Sequence, residues 1–224
     1  MRQVSRTATL GAALLLGVAS LAVAPAQAAT AAPSTTTLTL STTASAFGQT
    51  VTASAAVATS PGPAEGDVVF AVDGLAYKAN LGGSGTATLV LPRAGVGQHA
   101  VTATFVPADA LQQQGSASAA LPWAVAPART RLQARAVGKG LRIPTYLAIT
   151  VSGDFGTTPR GEVGVGLRRA GRRVDSATAT LTGTVLRVGF GRLPRGRYRA
   201  VVRYRGDASH LPAQRVVRFR VRQR

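Results

Sequence analysis

The 224-residue chain has no cysteine, a single tryptophan, two histidines and only eight carboxylate side chains. The missing thiol excludes disulfide staples, thiolate chemistry, cysteine-ligated zinc and lipid attachment through cysteine. No apolar span of about 20 residues lies beyond the N-terminal region, which excludes a bundle of membrane helices. Charged residues make up only 15% of the chain, yet hydrophobic ones reach 46%, so a sizeable core can form and global disorder is excluded. What is plentiful is glycine (25), proline (12) and positive charge: 26 basic against 8 acidic groups give a formal net of +18.

The first thirty residues read as an address. Arg2 and Arg6 form a positive start, Leu10 to Val23 is an apolar run, and Ala26-Gln27-Ala28 supplies a small-x-small cleavage pattern. Residues 1–28 are therefore expected to be a signal peptide with the mature start near Ala29; a retained membrane anchor is the alternative. Without an adjacent arginine pair, the general secretory route is favoured over the twin-arginine one.

The remaining residues divide into two halves, 29–126 and 127–224, with a seam at Ala126-Pro127-Ala128 where Pro122 and Pro127 bracket a strand end. The halves echo each other. Gly66-Asp67-Val68-Val69-Phe70 recurs as Gly161-Glu162-Val163-Gly164-Val165, Gly85-Thr86 as Gly183-Thr184, Leu91-Pro92-Arg93 as Leu193-Pro194-Arg195, and Gly97-Gln98-His99-Ala100-Val101 as Gly196-Arg197-Tyr198-Arg199-Ala200. The order is kept at offsets of 95 to 102 residues, too long for a solenoid period and suited to tandem domains.

Each half alternates with the period of two that marks half-buried strands. Val51, Ala53, Ala55 and Val57 share one face, as do Val68, Phe70 and Val72; His99, Val101, Ala103 and Phe105; and Leu121, Trp123 and Val125. In the second half the same test selects Leu147, Ile149 and Val151; Val163, Val165 and Leu167; Tyr198, Ala200, Val202 and Tyr204; and Val217, Phe219 and Val221. Asp73-Gly74 is a hairpin turn signal, because both residues tolerate positive φ. Short strands punctuated by Gly, Pro and Asp, with almost no helix signal past the leader, predict antiparallel sandwiches.

The stretch Thr36 to Val125 resembles the bacterial Ig-like repeat domains that occur in tandem on secreted and surface proteins. The resemblance rests on Gly66-x-Val68-x-Phe70, Asp73-Gly74, Leu81 to Ala87 and Gly97-x-His99-x-Val101-x-Ala103-x-Phe105. The second half looks like a diverged copy, through Leu193-Pro194-x-Gly196-x-Tyr198 and Tyr204-Arg205-Gly206-Asp207, and is poorly matched from Arg129 to Ile143. Pro107-Ala108-Asp109 replaces the Gly-Asp turn in the first copy. The resemblance implies an all-β chain of two tandem Ig-like antiparallel β-sandwiches after the signal peptide, with a presenting or adhesive role rather than catalysis. The fold itself hosts many activities.

Charge separates the halves. Residues 29–128 carry Lys78 and Arg93 against Glu65, Asp67, Asp73 and Asp109, a net of −2, whereas residues 129–224 carry 22 basic groups against Asp154, Glu162, Asp175 and Asp207, a net of +18. A GC-rich genome accounts for 24 arginines against 2 lysines, but not for their confinement to one half. Strand parity then turns Arg197, Arg199, Arg203 and Arg205 outward, and likewise Arg218, Arg220 and Arg222 on the last strand. In an Ig sandwich these strands are neighbours, so the seven guanidiniums are expected to tile one face and bind polyanions, with Arg168, Arg169, Arg172 and Arg173 around Ala170-Gly171 as an extension. Arginine suits phosphate and carboxylate because its planar fork binds bidentately.

Catalytic and metal readings find little support. His99 occupies the place of Tyr198 in the other half and reads as a structural corner residue. Ser209 and Asp207 flank His210, but three residues within four positions of one loop cannot readily set up nucleophile, base and orienting group. Asp207 after Gly206 reads as a turn former rather than a calcium ligand, and Trp123 as core or seam. The sequence thus predicts a secreted, non-enzymatic module without cofactor, catalytic or metal residues. Its basic half would associate with an anionic wall polymer or acidic glycan, or non-specifically with nucleic acid or an anionic membrane surface, and no small-molecule substrate is expected. A ligand-free spacer or scaffold is the alternative, and an accessory domain pair from a larger enzyme or surface protein a third. The end at Arg222-Gln223-Arg224 shows no wall-sorting tail, so surface attachment is expected to be non-covalent.

Overall fold

Alternating apolar positions need something to bury against, and the chain meets that need with four sheets. The computed structural model describes residues 30–222, so the expected signal peptide, residues 1–28, lies outside the described residues. The first nine strands are β1 (Ser34–Leu40), β2 (Ala44–Ala46), β3 (Thr52–Thr59), β4 (Gly66–Val72), β5 (Leu75–Asn80), β6 (Thr86–Val90), β7 (Gly97–Pro107), β8 (Ser116–Ala117) and β9 (Leu121–Ala126). They form a sheet ordered β1-β3-β6 and another ordered β2-β9-β7-β4-β5, with β8 added to β7. The next seven are β10 (Thr130–Val137), β11 (Tyr146–Gly153), β12 (Gly161–Arg169), β13 (Arg172–Leu181), β14 (Val185–Gly189), β15 (Gly196–Tyr204) and β16 (Ala213–Val221), in sheets ordered β10-β11-β14 and β13-β12-β15-β16. Among the described residues the one helical element is a turn at Asp154–Gly156.

Apart from β2 and β8, which have no strand counterpart, the second pair of sheets reproduces the strand order of the first. Val68 faces Phe105, Phe70 faces Ala103 and Val72 faces Val101; the counterparts Val163, Val165 and Leu167 face Tyr204, Val202 and Ala200. Even the crossing of the chain from one sheet to the other recurs, since β2 runs parallel to β9 and Gly140 makes a parallel bridge to Arg222. The poorly matched stretch after Arg129 holds β10, which pairs with β11 as β1 pairs with β3.

Each pair of sheets encloses its own apolar core. Val68, Phe70, Val101, Ala103, Phe105 and Trp123 are buried in one; Leu147, Ile149, Val151, Val163, Leu167, Val202 and Tyr204 in the other. Trp123 is core rather than seam: its indole N–H donates to Ser45 Oγ at 2.9 Å, satisfying the one polar atom it buries. The corner role of His99 and Tyr198 also holds. His99 Nε2 lies 2.8 Å from Gly95 O, and Tyr198 Oη donates to Pro194 O at 2.8 Å, in both cases four residues upstream.

The hairpins at equivalent positions share a backbone. Asp73 and Gly74 have φ of 50° and 85°, and Ala170 and Gly171 have 47° and 79°. Two successive positive φ values match the right-handed twist of the flanking strands. Asp tolerates the first position, whereas Ala there is strained.

Candidate functional site

The sheet β13-β12-β15-β16 has one face on the core and one in solvent, and period-two alternation sorts its residues between them. Along the β15–β16 ladder, Tyr198 stands opposite Phe219 and Ala200 opposite Val217 on the core side. The intervening pairs are Arg197 with Arg220 and Arg199 with Arg218, on the solvent side. All seven arginines picked out by parity (Arg197, Arg199, Arg203, Arg205, Arg218, Arg220 and Arg222) are exposed.

They do not form one unbroken tile. Val201 stands opposite Val216 and Arg203 opposite Gln214, so an apolar pair separates Arg203 and Arg205 from the other five. Arg203 Nε donates to Gln214 Oε1 at 2.8 Å, which pins that guanidinium along the sheet.

The expected extension around the β12–β13 turn is half right. Arg168 stands opposite Arg199 on one side and Arg173 on the other, because the register slips by one residue between Leu167 and Arg168. Arg173, Arg168, Arg199 and Arg218 therefore make a row straight across all four strands, with neighbouring backbones about 4.8 Å apart. Arg169 and Arg172 belong to the opposite parity: Arg169 pairs with Tyr198, lies 5.9 Å from that ring's centre and donates from Nη2 to Arg195 O at 2.8 Å. Arg169 alternates in step with Val163, Val165 and Leu167, and Arg172 stands opposite it, so neither joins the row.

Among the described residues the ion pairs are Lys78–Asp67, His99–Asp73, Arg131–Asp154 and His210–Asp207, and none involves an arginine of this face. Like charges directly opposite one another in a ladder destabilise it, by roughly 0.2–1 kcal/mol per pair. Two depressions open on this face. One, about 500 Å3, is lined by Arg168, Arg197, Arg199, Arg218 and Arg220 over the turn at Ala170-Gly171. The other, about 430 Å3, lies beside it along β12 and is flanked by Arg168, Arg173, Arg203 and Arg205.

The histidine cluster at the other end of the second sandwich is built differently from the loop triad weighed in the sequence. His210 is buried, with Nδ1 2.9 Å from Asp207 Oδ1 and Nε2 2.9 Å from the hydroxyl of Thr157, not Ser209. Its ring meets Phe47 of the first sandwich edge-on at 5.7 Å, and a Cβ on Gly48 would come within 2.4 Å of Thr157. This is the packed joint between the sandwiches. No local pattern could have revealed Thr157, which lies 53 residues from His210.

Asp207 forms the expected turn, accepting from the Ser209 N–H at 2.7 Å. Burial works to raise its carboxyl pKa, but the Arg160 N–H, the His210 ring, the Ser209 N–H and the Tyr204 hydroxyl outweigh it and bring the value down to about 2. Burial, followed by the neighbouring Asp207, pushes the Tyr204 hydroxyl well above the ordinary tyrosine value. Asp109 repeats the turn in the first sandwich, accepting from the Leu111 N–H at 2.8 Å, although Pro107-Ala108 precedes it there.

Residues 38–126 match the family model of the bacterial Ig-like domain (group 3). The Ig-like match covers the first sandwich from β1 to the end of β9. Among solved structures, the fibronectin(III)-like modules of Clostridium thermocellum CbhA align at 15% identity over 83% of this chain and 94% of theirs, with a TM-score of 0.31. The Yersinia pseudotuberculosis adhesin InvE aligns at 17% identity over 82% of this chain and 58% of its own, with a TM-score of 0.37. A putative membrane-anchored protein of Corynebacterium diphtheriae aligns at 11% identity over 83% and 58%, with a TM-score of 0.32. No curated protein matches the chain.

Proposed function

We propose that this protein is a secreted, non-enzymatic module whose second sandwich holds an anionic polymer of the cell envelope or extracellular space on the outer face of β13-β12-β15-β16. The observation that carries the reading is the row Arg173, Arg168, Arg199, Arg218: four cations aligned across four strands with no carboxylate paired to them. A sheet selected only for stability would not set like charges opposite one another in a ladder. An anion seated among them converts that repulsion into bidentate, charge-assisted hydrogen bonds. The Ig-like first sandwich, with a net of −2, serves as the presenting unit rather than as part of the binding surface. Attachment is ionic and reversible, on the outside of the cell.

The test is salt elution of the full chain from immobilised heparin or a phosphorylated polymer. Arg218/Arg220/Arg222→Ser elutes markedly earlier than Arg129/Arg142/Arg192→Ser, which removes the same charge from exposed positions off this face. With four to six charges neutralised, binding to duplex DNA falls with a log–log salt slope of about −4 to −5. Equal elution of the two variants, or a flat salt response, leaves the spacer reading instead.

A further inference from the structure

The depression along β12 has a floor with no side chains. Gly164 and Gly166 are the solvent-side residues of β12 there, between Val201 and Arg203 of β15 on one side and Ser176 and Thr178 of β13 on the other. Neither glycine needs to be glycine for the fold. Neither is among the positive-φ residues, and a Cβ on either would meet nothing within 4 Å. Glycine inside a strand weakens it and marks a bulge or a close approach of a ligand or another backbone; the register slip falls between Leu167 and Arg168, past both glycines, which leaves close approach. The equivalent strand of the first sandwich carries Val69 and Ala71 at these positions, facing Thr104 and Thr102 where Gly164 and Gly166 face Arg203 and Val201. The same fold has thus been filled in one copy and left open in the other, and the open copy is the cationic one.

We propose that Gly164 and Gly166 floor a trough that seats a single unbranched phosphodiester chain built on a three-carbon polyol, with Arg203 and Arg205 on successive phosphates and Arg168 and Arg173 closing one end. The inference rests on the polyanion-binding reading above and specifies its ligand. Two strand spacings separate the flanking backbones, about 9.6 Å, and the girth of the walls leaves a clear width of about 6 Å, enough for one slim chain. Arg203 and Arg205 are one pleat repeat apart, about 6.8 Å. Phosphates joined through three carbons are separated by six backbone bonds, as many as two extended peptide residues, hence also about 7 Å. Ser176 and Thr178 offer hydroxyls to a polyol, and no aromatic ring lines the trough, so bases have no stacking platform. Glu162, exposed on the same face two residues before Gly164, continues the Val163–Tyr204 register to lie across from Arg205, so Arg205 holds the last phosphate at that end.

Filling the trough without changing charge tests this. In the full chain, Gly164→Val/Gly166→Val adds side chains in open space on a strand that favours them, so folding and thermal stability are kept or improved. A fluorescent poly(glycerol phosphate) oligomer is expected to bind this variant at least tenfold more weakly than the parent, while heparin, too broad to enter, changes less than twofold. Unchanged poly(glycerol phosphate) binding, with the Arg218/Arg220/Arg222→Ser loss still present, overturns the trough and leaves the cationic face standing. Parent binding to neither polymer overturns both. A greater loss for oligothymidylate than for poly(glycerol phosphate) assigns the trough to single-stranded nucleic acid instead.

Discussion

Arg199 stands directly opposite Arg218 in the β15–β16 ladder, both exposed, with no carboxylate paired to either. Nothing in the sandwich core requires that pairing, because the buried partners on the same two strands are Tyr198, Ala200 and Phe219. The repulsion is a property of the outer face alone, and screening reaches it fully.

Replacing Arg218 with Thr is therefore expected to stabilise the protein at low ionic strength by a few tenths to about 1 kcal/mol. In urea unfolding the gain is present in dilute buffer and disappears near 1 M salt, where the Debye length is about 3 Å. The same variant loses affinity for heparin, so stability and binding move in opposite directions. A gain that survives high salt would assign the effect to strand propensity rather than charge.

The corner residue His99 makes stability depend on pH. The hydrogen bond that the His99 ring donates to the Asp73 carboxylate raises the His99 pKa above 6.5 and, in turn, lowers that of Asp73. The raised histidine contributes fully below its unfolded value, and the contribution fades as pH rises through the folded one. Between about pH 4 and 6.5 both groups are charged. An NMR titration is expected to place the His99 midpoint above 6.5, and His99→Gln to flatten the decline in melting temperature toward pH 8.

Asp207→Asn is expected to cost about 1–3 kcal/mol, since it removes the charge that holds the Arg160 and Ser209 N–H groups and the His210 ring. The parent loses the same contribution in acid. With the folded pKa near 2 against an ordinary 3.8, the stabilisation is complete above about pH 4 and drains away as pH falls toward 2. Acid unfolding of Asp207→Asn beside the parent measures it, and parallel curves would place the acid sensitivity elsewhere.

Ala170→Asn is expected to stabilise the second sandwich by about 1 kcal/mol, because a left-handed φ of 47° strains alanine and suits asparagine. Thermal unfolding reads the gain, and the equivalent Asp73→Ala change in the first sandwich moves the other way.

Much of the sandwich was legible because alternation is local: the period of two that buried Val68, Phe70 and Val72 also buried Val163, Val165 and Leu167. The Ig-like resemblance over Thr36 to Val125 agrees with the match over residues 38–126. The candidate site was legible only in its parity. Which arginines turn outward followed from their buried neighbours, but the break at Val201 and Val216 depends on the β15–β16 register, and the alignment of Arg173 rather than Arg172 with Arg168 on the one-residue slip between Leu167 and Arg168.

By itself, the chain's alternation and its lopsided charge determined that sheets would form, which side of each strand would meet solvent, and that one half would be cationic. These properties reside in residues one or two apart. Only the tertiary structure decided that Arg173, Arg168, Arg199 and Arg218 would fall in line, that Gly164 and Gly166 would lie open between β13 and β15, and that Thr157 would reach His210. Those neighbours come from different strands, and it is the pairing of distant segments, set by how the two sheets close over their core, that brings them side by side.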